Sequence, residues 1–260
     1  MSRLFGIVAA KNLRVRFGLG SLTKQSELLK QINPDGWGLG WVGSAGSGVE
    51  KRALPVKGSP GVEEHWLEGE GTRFIGHIRR GTRGGRSQRN CHPFLYGGWI
   101  FAHSGHLFPK LEAAVRKRLG HVELGSETDS EALFRWLLKS FERAQPAEQW
   151  LRQALKPLVD DGEFSSLNFI LASDTAFYAF RLCTRSAAFY SLYHRDWTKG
   201  TPLAADSQET YTRLESKGLA ESEAILVCSE RLLEGEWAAL EQGELLTVIG
   251  DLEVQTFKLF

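Results

Sequence analysis

Runs of apolar and β-branched residues dominate both ends of this 260-residue sequence, while most helix-like patterning is confined to its middle. That arrangement constrains the fold more than any single motif. The last hundred residues hold six such runs: SLNFILASD (166–174), AFYAFRLC (176–183), AFYSLYH (188–194), EAILVCS (223–229), ELLTVIG (244–250) and EVQTFKLF (253–260). Each is of strand length and rich in β-formers. Asp174 and Thr175, between the first two, predict a hairpin turn. The N-terminal part supplies RLFGIVAA (3–10), VEKRALPV (49–56), TRFIGHIR (72–79) and WIFAHS (99–104) as further strands. DGWGLGWV (35–42) alternates glycine with bulky residues, which predicts a tight turn feeding a strand whose small face admits another backbone.

Helical patterns occur in SLTKQSELLKQI (21–32), with Ser21 as N-cap, and in two central segments. The first central segment is FPKLEAAVRKRL (108–119). The second opens at TDSE, where Thr128 and Glu131 have capping-box spacing, and continues as ALFRWLLKSF. Many strands around two central helices predict an α+β fold and not alternating βαβ units. No repeat or linker interrupts the chain, so residues 1–260 read as a single domain, large enough to bury a core without staples.

The charge balance, 32 basic against 31 acidic residues, gives no reason to expect nucleic acid as a partner. RRGTRGGRSQR (79–89) is the one strongly basic run and reads as a solvated loop, with Arg79 set apart below. Cys91, Cys183 and Cys228 are odd in number and widely spaced, matching neither a disulfide framework nor a zinc pattern. With no apolar stretch near the roughly 18 residues of a membrane span, a cytoplasmic protein without membrane attachment, metal or organic cofactor is expected.

Five stretches carry more polar residues and glycine than a core requires: NPDGWGLGW (33–41), HIRRGTRG (77–84), NCHPF (90–94), AHSGHL (102–107) and SETDSE (126–131). All fall at predicted element ends, where a rigid scaffold presents working groups. Singly, each has a structural reading. DGWG is a common turn, His92 before Pro93 suits a hydrogen-bonded structural histidine, and Asp129 is favoured at a helix start by the helix dipole.

Together, and behind the opening MSRLFGI, these stretches resemble the class II glutamine amidotransferases of the N-terminal-nucleophile hydrolase superfamily. The short stand-alone branch that includes the ergothioneine-pathway amidohydrolase is most similar. The resemblance spans nearly the whole chain, including SERLLEGEWAALEQGELLTV near its end. It implies a four-layer α/β/β/α sandwich of two antiparallel sheets. It also implies that Ser2, freed by loss of Met1, is the nucleophile and that its α-amine is the general base. An α-amine titrates at roughly 7.7–8.0, so a useful fraction is neutral near pH 7.

By the same resemblance, Arg79 holds the α-carboxylate of glutamine and Asp129 receives its α-ammonium group, with Thr82 and His103 beside them. Gly105, together with Ser104, takes the oxyanion-hole position, while His77, Asn90, His92, Asp35 and Trp37 form a supporting shell. The implied ligand is a small molecule with a free amino-acid head, glutamine or a γ-glutamyl compound. A synthetase partner is implied if ammonia is the useful product.

Two positions depart from the family pattern. Its nucleophile is cysteine, as in MCRLFGI, where this chain has Ser2; its HNG motif is here HSG, with Ser104. A hydroxyl depends wholly on its base, and loss of one oxyanion donor typically costs about 10²–10³ in rate. Ser2 therefore reads as a retuned working nucleophile or as the mark of a weakened, amidotransferase-like binding or regulatory subunit. A deliberate cysteine-to-serine exchange would leave Ser104 unexplained.

Overall fold

The computed structural model describes residues 2–19, 35–53, 65–141, 145–207 and 212–260. Two antiparallel sheets lie face to face. The first contains β1 (Arg3–Leu19), β2 (Gly36–Gly43), β3 (Gly46–Ala53), β4 (His65–Arg79), β9 (Tyr193–Trp197), β12 (Ala224–Cys228) and β13 (Ala238–Ala239), in the order β13-β9-β12-β1-β4-β2-β3. Two further strands, β10 (Leu203–Asp206) and β11 (Thr212–Ser216), extend it alongside the second half of β1. The second sheet runs β15-β14-β8-β7-β6-β5, from β5 (Phe94–Tyr96), β6 (Trp99–Leu107), β7 (Phe164–Ala172), β8 (Phe177–Arg181), β14 (Glu244–Ile249) and β15 (Glu253–Lys258). The 166–174/176–183 pair forms the expected hairpin, as β7 and β8.

The period-two alternation of strands sorts side chains into separate cores. Leu4 and Val8 of β1, Ile75 of β4, Ile100 and Ala102 of β6, and Ile170 of β7 meet between the sheets. Their neighbours Phe5, Ile7 and Phe74 pack on the outer face of the first sheet with Phe17, Trp37 and Leu214. Phe101, Phe169 and Leu171 face outward from the second sheet into a helical layer. Three helices build that layer: α1 (Pro109–Leu119), α2 (Asp129–Lys139) and α3 (Ala147–Asp161). The predicted helix 21–32, and residues 54–56 of one predicted strand, lie outside the described residues.

Three findings revise the expected elements. β1 runs on to Leu19, because Leu13, Val15, Phe17 and Leu19 alternate inward after an irregularity between Val8 and Leu13. Helix α3 was not anticipated; its buried Trp150, Leu151, Ala154, Leu155 and Leu158 follow helical spacing despite Pro157. The run 188–194 is a strand only from Tyr193. Phe189 and Tyr190 sit in a loop where Ser186 takes φ 52° and accepts a bond from the Phe189 N–H. No helix among the described residues is long and apolar enough to cross a membrane.

The glycines of β2 act as anticipated. A Cβ on Gly38 would come within 2.1 Å of the His92 carbonyl oxygen, so glycine lets the 90–94 segment lie directly on the strand.

Candidate active site

The same alternation that makes the inter-sheet core carries polar residues to one end of it. Residue 2 continues the face of Leu4, Arg79 that of Ile75 and His77, and Ser104 that of Ile100 and Ala102. Ser2 precedes β1, and its Oγ accepts the Arg80 N–H at 3.1 Å and donates to the Arg80 carbonyl at 3.4 Å. Ser104 Oγ spans the two sheets and donates to the Ser2 carbonyl at 3.3 Å. The hydroxyl expected to help form an oxyanion hole is thus turned onto the backbone of residue 2.

Ser2, Arg79, Thr82, His92, His103, Gly105 and Asp129 line one small cavity of about 20 Å³, roughly the room one water needs. Arg79 is 2% exposed, and its guanidinium donates to the Arg83 carbonyl (2.6 Å), the Gly84 carbonyl (3.2 Å) and the Gly85 carbonyl (3.4 Å). The basic run is therefore an ordered loop folded over its own arginine. Asp35 ties it down, accepting the Gly81 N–H at 2.6 Å and Arg86 Nε at 2.8 Å, and lies 3.9 Å from Arg79 Nη1. Asn90 adds a second anchor, donating to the Gly85 carbonyl and to Glu127 while accepting the Glu127 N–H.

Asp129 begins α2 under an N-cap, Thr128, whose hydroxyl accepts the Glu131 N–H. The Glu131 carboxylate does not return to Thr128; it reaches back to the Gly125 and Ser126 N–H groups. The box is widened and holds the 125–128 segment as well as the helix start. Asp129 Oδ2 accepts the Leu107 N–H at 2.7 Å and lies 3.1 Å from His106 Nδ1. Burial alone would push this carboxyl up. The His106 bond, the nearby His103 and the Leu107 N–H outweigh it and hold the group below the ordinary carboxylate range. Asp129 is therefore anionic at neutral pH, and it lines the same cavity as the buried Arg79.

Three buried histidines floor the site. His77 and His92 stack with ring centroids 4.2 Å apart. Burial first, and then the Arg79 charge and His103, lower His77 to about 3. Burial, followed by His77, also takes His92 well below its ordinary value, and neither of its ring nitrogens has a hydrogen-bond partner among the described residues. Both rings are neutral, so they fill space without competing with Arg79 for an anion. His103 is fixed between Ser130 Oγ and the Ser166 carbonyl, each at 3.0 Å. Gly105 is required by closeness, because a Cβ there would fall 2.0 Å from the Ser166 carbonyl oxygen. Trp37, expected in the shell, belongs instead to the outer core of the first sheet.

Residues 1–257 match the family model described as glutamine amidotransferases class-II. The chain belongs to the class II glutamine amidotransferases. An uncharacterised protein of Methanocaldococcus jannaschii is 24% identical over 95% of this chain and 68% of its own length. Further relatives are matched over less than half of theirs. Among solved structures, a predicted glutamine amidotransferase from Pseudomonas aeruginosa PA01 superposes with a TM-score of 0.70 at 19% identity, covering 96% of this chain and 98% of that one. The glutamine phosphoribosylpyrophosphate amidotransferase of Bacillus subtilis gives 0.58 at 14%, covering 99% and 49%. Those two likenesses show the fold, the sandwich expected of this amidotransferase family.

Residues to which the sequence assigned no role also converge on the site. His106 clamps Asp129, and Glu127 clamps Asn90. Both lie inside the quoted stretches AHSGHL and SETDSE, so the signal was present without a way to assign it. Phe189 and Tyr190 reach the site from a distant loop and left no local signal.

Proposed function

We propose that this amidotransferase homologue hydrolyses a γ-glutamyl amide, with Ser2 as nucleophile. The observation that carries the reading is the shared cavity: the Ser2 hydroxyl, the Arg79 cation, the Asp129 anion and Gly105 all line it. A cation and an anion lining one cleft select a zwitterionic amino-acid head, the Arg79 charge attracting a carboxylate and Asp129 an ammonium group. Once Met1 is removed, the α-amine of residue 2 takes the proton from its own Oγ as that oxygen attacks the δ-carbonyl carbon. The backbone at Gly105 receives the developing oxyanion. The C–N bond then breaks, the amine returns the proton to the leaving nitrogen, and water cleaves the resulting ester to release glutamate.

Ser104 has a different part in this reading. Its bond to the Ser2 carbonyl fixes the direction of residue 2 from the opposite sheet, so it acts as a positioning residue. That bond also supports the second reading, a binding or regulatory subunit without turnover, because it removes a side-chain donor from the oxyanion site. Ammonia transfer would call for a synthetase partner. Free thiols at Cys91 and Cys228, both buried, suit a reducing cytoplasm.

Glutamate release from glutamine and γ-glutamyl amides, measured on protein shown by intact mass to lack Met1, tests the proposal. Wild-type turnover abolished in Ser2→Ala supports hydrolysis. Turnover seen only in Ser2→Cys assigns the protein to the second reading.

A further inference from the structure

The small cavity lined by Arg79 and Asp129, assigned above to the amino-acid head, adjoins a second, larger cleft of about 380 Å³. Ser2, Arg80, Gly81, Thr82 and Gly105 line both, so the two are continuous across the nucleophile. In a γ-glutamyl amide the head and the leaving amine lie on opposite sides of the scissile bond. With the head held by Arg79 and Asp129, the amine portion has to occupy this larger cleft.

Its far wall is aromatic. Phe189 is 61% exposed, the most exposed large apolar side chain among the described residues, and it stands at the cleft beside Tyr190. Tyr190 is held in place: its hydroxyl donates to Ser165 Oγ at 3.1 Å, and its carbonyl accepts from Asn168 Nδ2 and Arg181 Nε. The turn closed by the Phe189 N–H and the Ser186 carbonyl fixes the neighbouring backbone. An anchored loop that presents an unburied phenyl ring to a catalytic cleft leaves apolar surface for an occupant to cover. Ammonia would cover none of it. The rim also carries Arg80, an exposed cation with no ion pair among the described residues, which disfavours an amine bearing a second positive charge.

We propose that this cleft is the leaving-amine subsite and that the preferred substrate is the γ-glutamyl amide of an uncharged or acidic aromatic amine, with glutamine a poor substitute. This rests on the head-binding reading above. Water adds its hydroxyl to the glutamyl carbon and its proton to the amine, giving glutamate and the free aromatic amine.

Binding to Ser2→Ala, which cannot turn over, separates the two ideas. Titration calorimetry compares γ-glutamylanilide, γ-glutamylmethylamide and glutamine. The anilide is expected to bind about tenfold or more tighter than the other two, the scale of one buried aromatic ring. Phe189→Ala in the same background should bring the three affinities together. Equal binding of all three, or an anilide advantage unchanged by Phe189→Ala, overturns the subsite while leaving head binding intact. No binding of any of them removes the head pocket and the subsite with it. The ratio of wild-type kcat/KM for the anilide over glutamine should follow the same order.

Discussion

At Ser104, one side chain accounts for what the family motif loses and gains. Serine is shorter than the family's asparagine, and its hydroxyl is spent on the Ser2 carbonyl at 3.3 Å. On the proposed function, Ser2 and Ser104 form a joint change: a hydroxyl nucleophile whose carbonyl is held by the residue in the oxyanion motif. Restoring both, as Ser2→Cys/Ser104→Asn, is expected to raise glutaminase kcat by about 10²-fold over wild type, the scale of one oxyanion donor. A double variant no faster than wild type would remove Ser104 from the account. The two stacked histidines make a separate claim. His77 is held near 3 in the fold but titrates near 6.5 when unfolded, so the unfolded chain binds more protons between those values. Stability is therefore full above about pH 6.5 and falls as pH drops through that window, by up to about 1.4 kcal/mol per pH unit for each such histidine. Urea unfolding of His77→Leu between pH 7 and pH 4.5 should show a shallower pH slope than wild type.

The N-terminus of α2 is the element on which the anionic side of the site depends. Thr128 accepts the Glu131 N–H, Ser126 Oγ bonds to Thr128 Oγ1, and the Arg116 guanidinium donates to the Thr128 carbonyl. Thr128→Ala is expected to cost about 1 kcal/mol of stability by urea unfolding, the usual value of an N-cap. It should also weaken glutamine binding, because Asp129 is the next residue. Unchanged binding would show that Asp129 is held by His106 and Leu107 alone. This helix start was legible in the sequence because a capping box is a local signal. The same holds for the β2 glycines, whose alternation announced a close backbone approach. Helix α3 was not legible: Pro146 replaces a polar N-cap, and Pro157 interrupts the pattern within it. There, burial of Trp150, Leu151 and Leu155 against the second sheet outweighs poor local signals.

Across the whole molecule, the site exists because two sheets present their inner faces to each other and run out at one end. Strand counting and the position of the helices made the α+β class legible, and the resemblance made the sandwich an expectation. The long-range contacts around the site were not legible. Ser104 meets a residue 102 positions away, and Asn90 meets Glu127 across 37. Such pairings depend on strand order, which no local pattern encodes. The fold brings Ser2, Arg79, Asp129 and Gly105 to one cavity, and the central claim is that residue 2 is chemically live there. Labelling with an electrophilic glutamine analogue, followed by peptide mapping, tests this most directly. The account predicts a single adduct on Ser2 of a peptide lacking Met1, suppressed by excess glutamate. No adduct on residue 2, or a peptide that retains Met1, would contradict it.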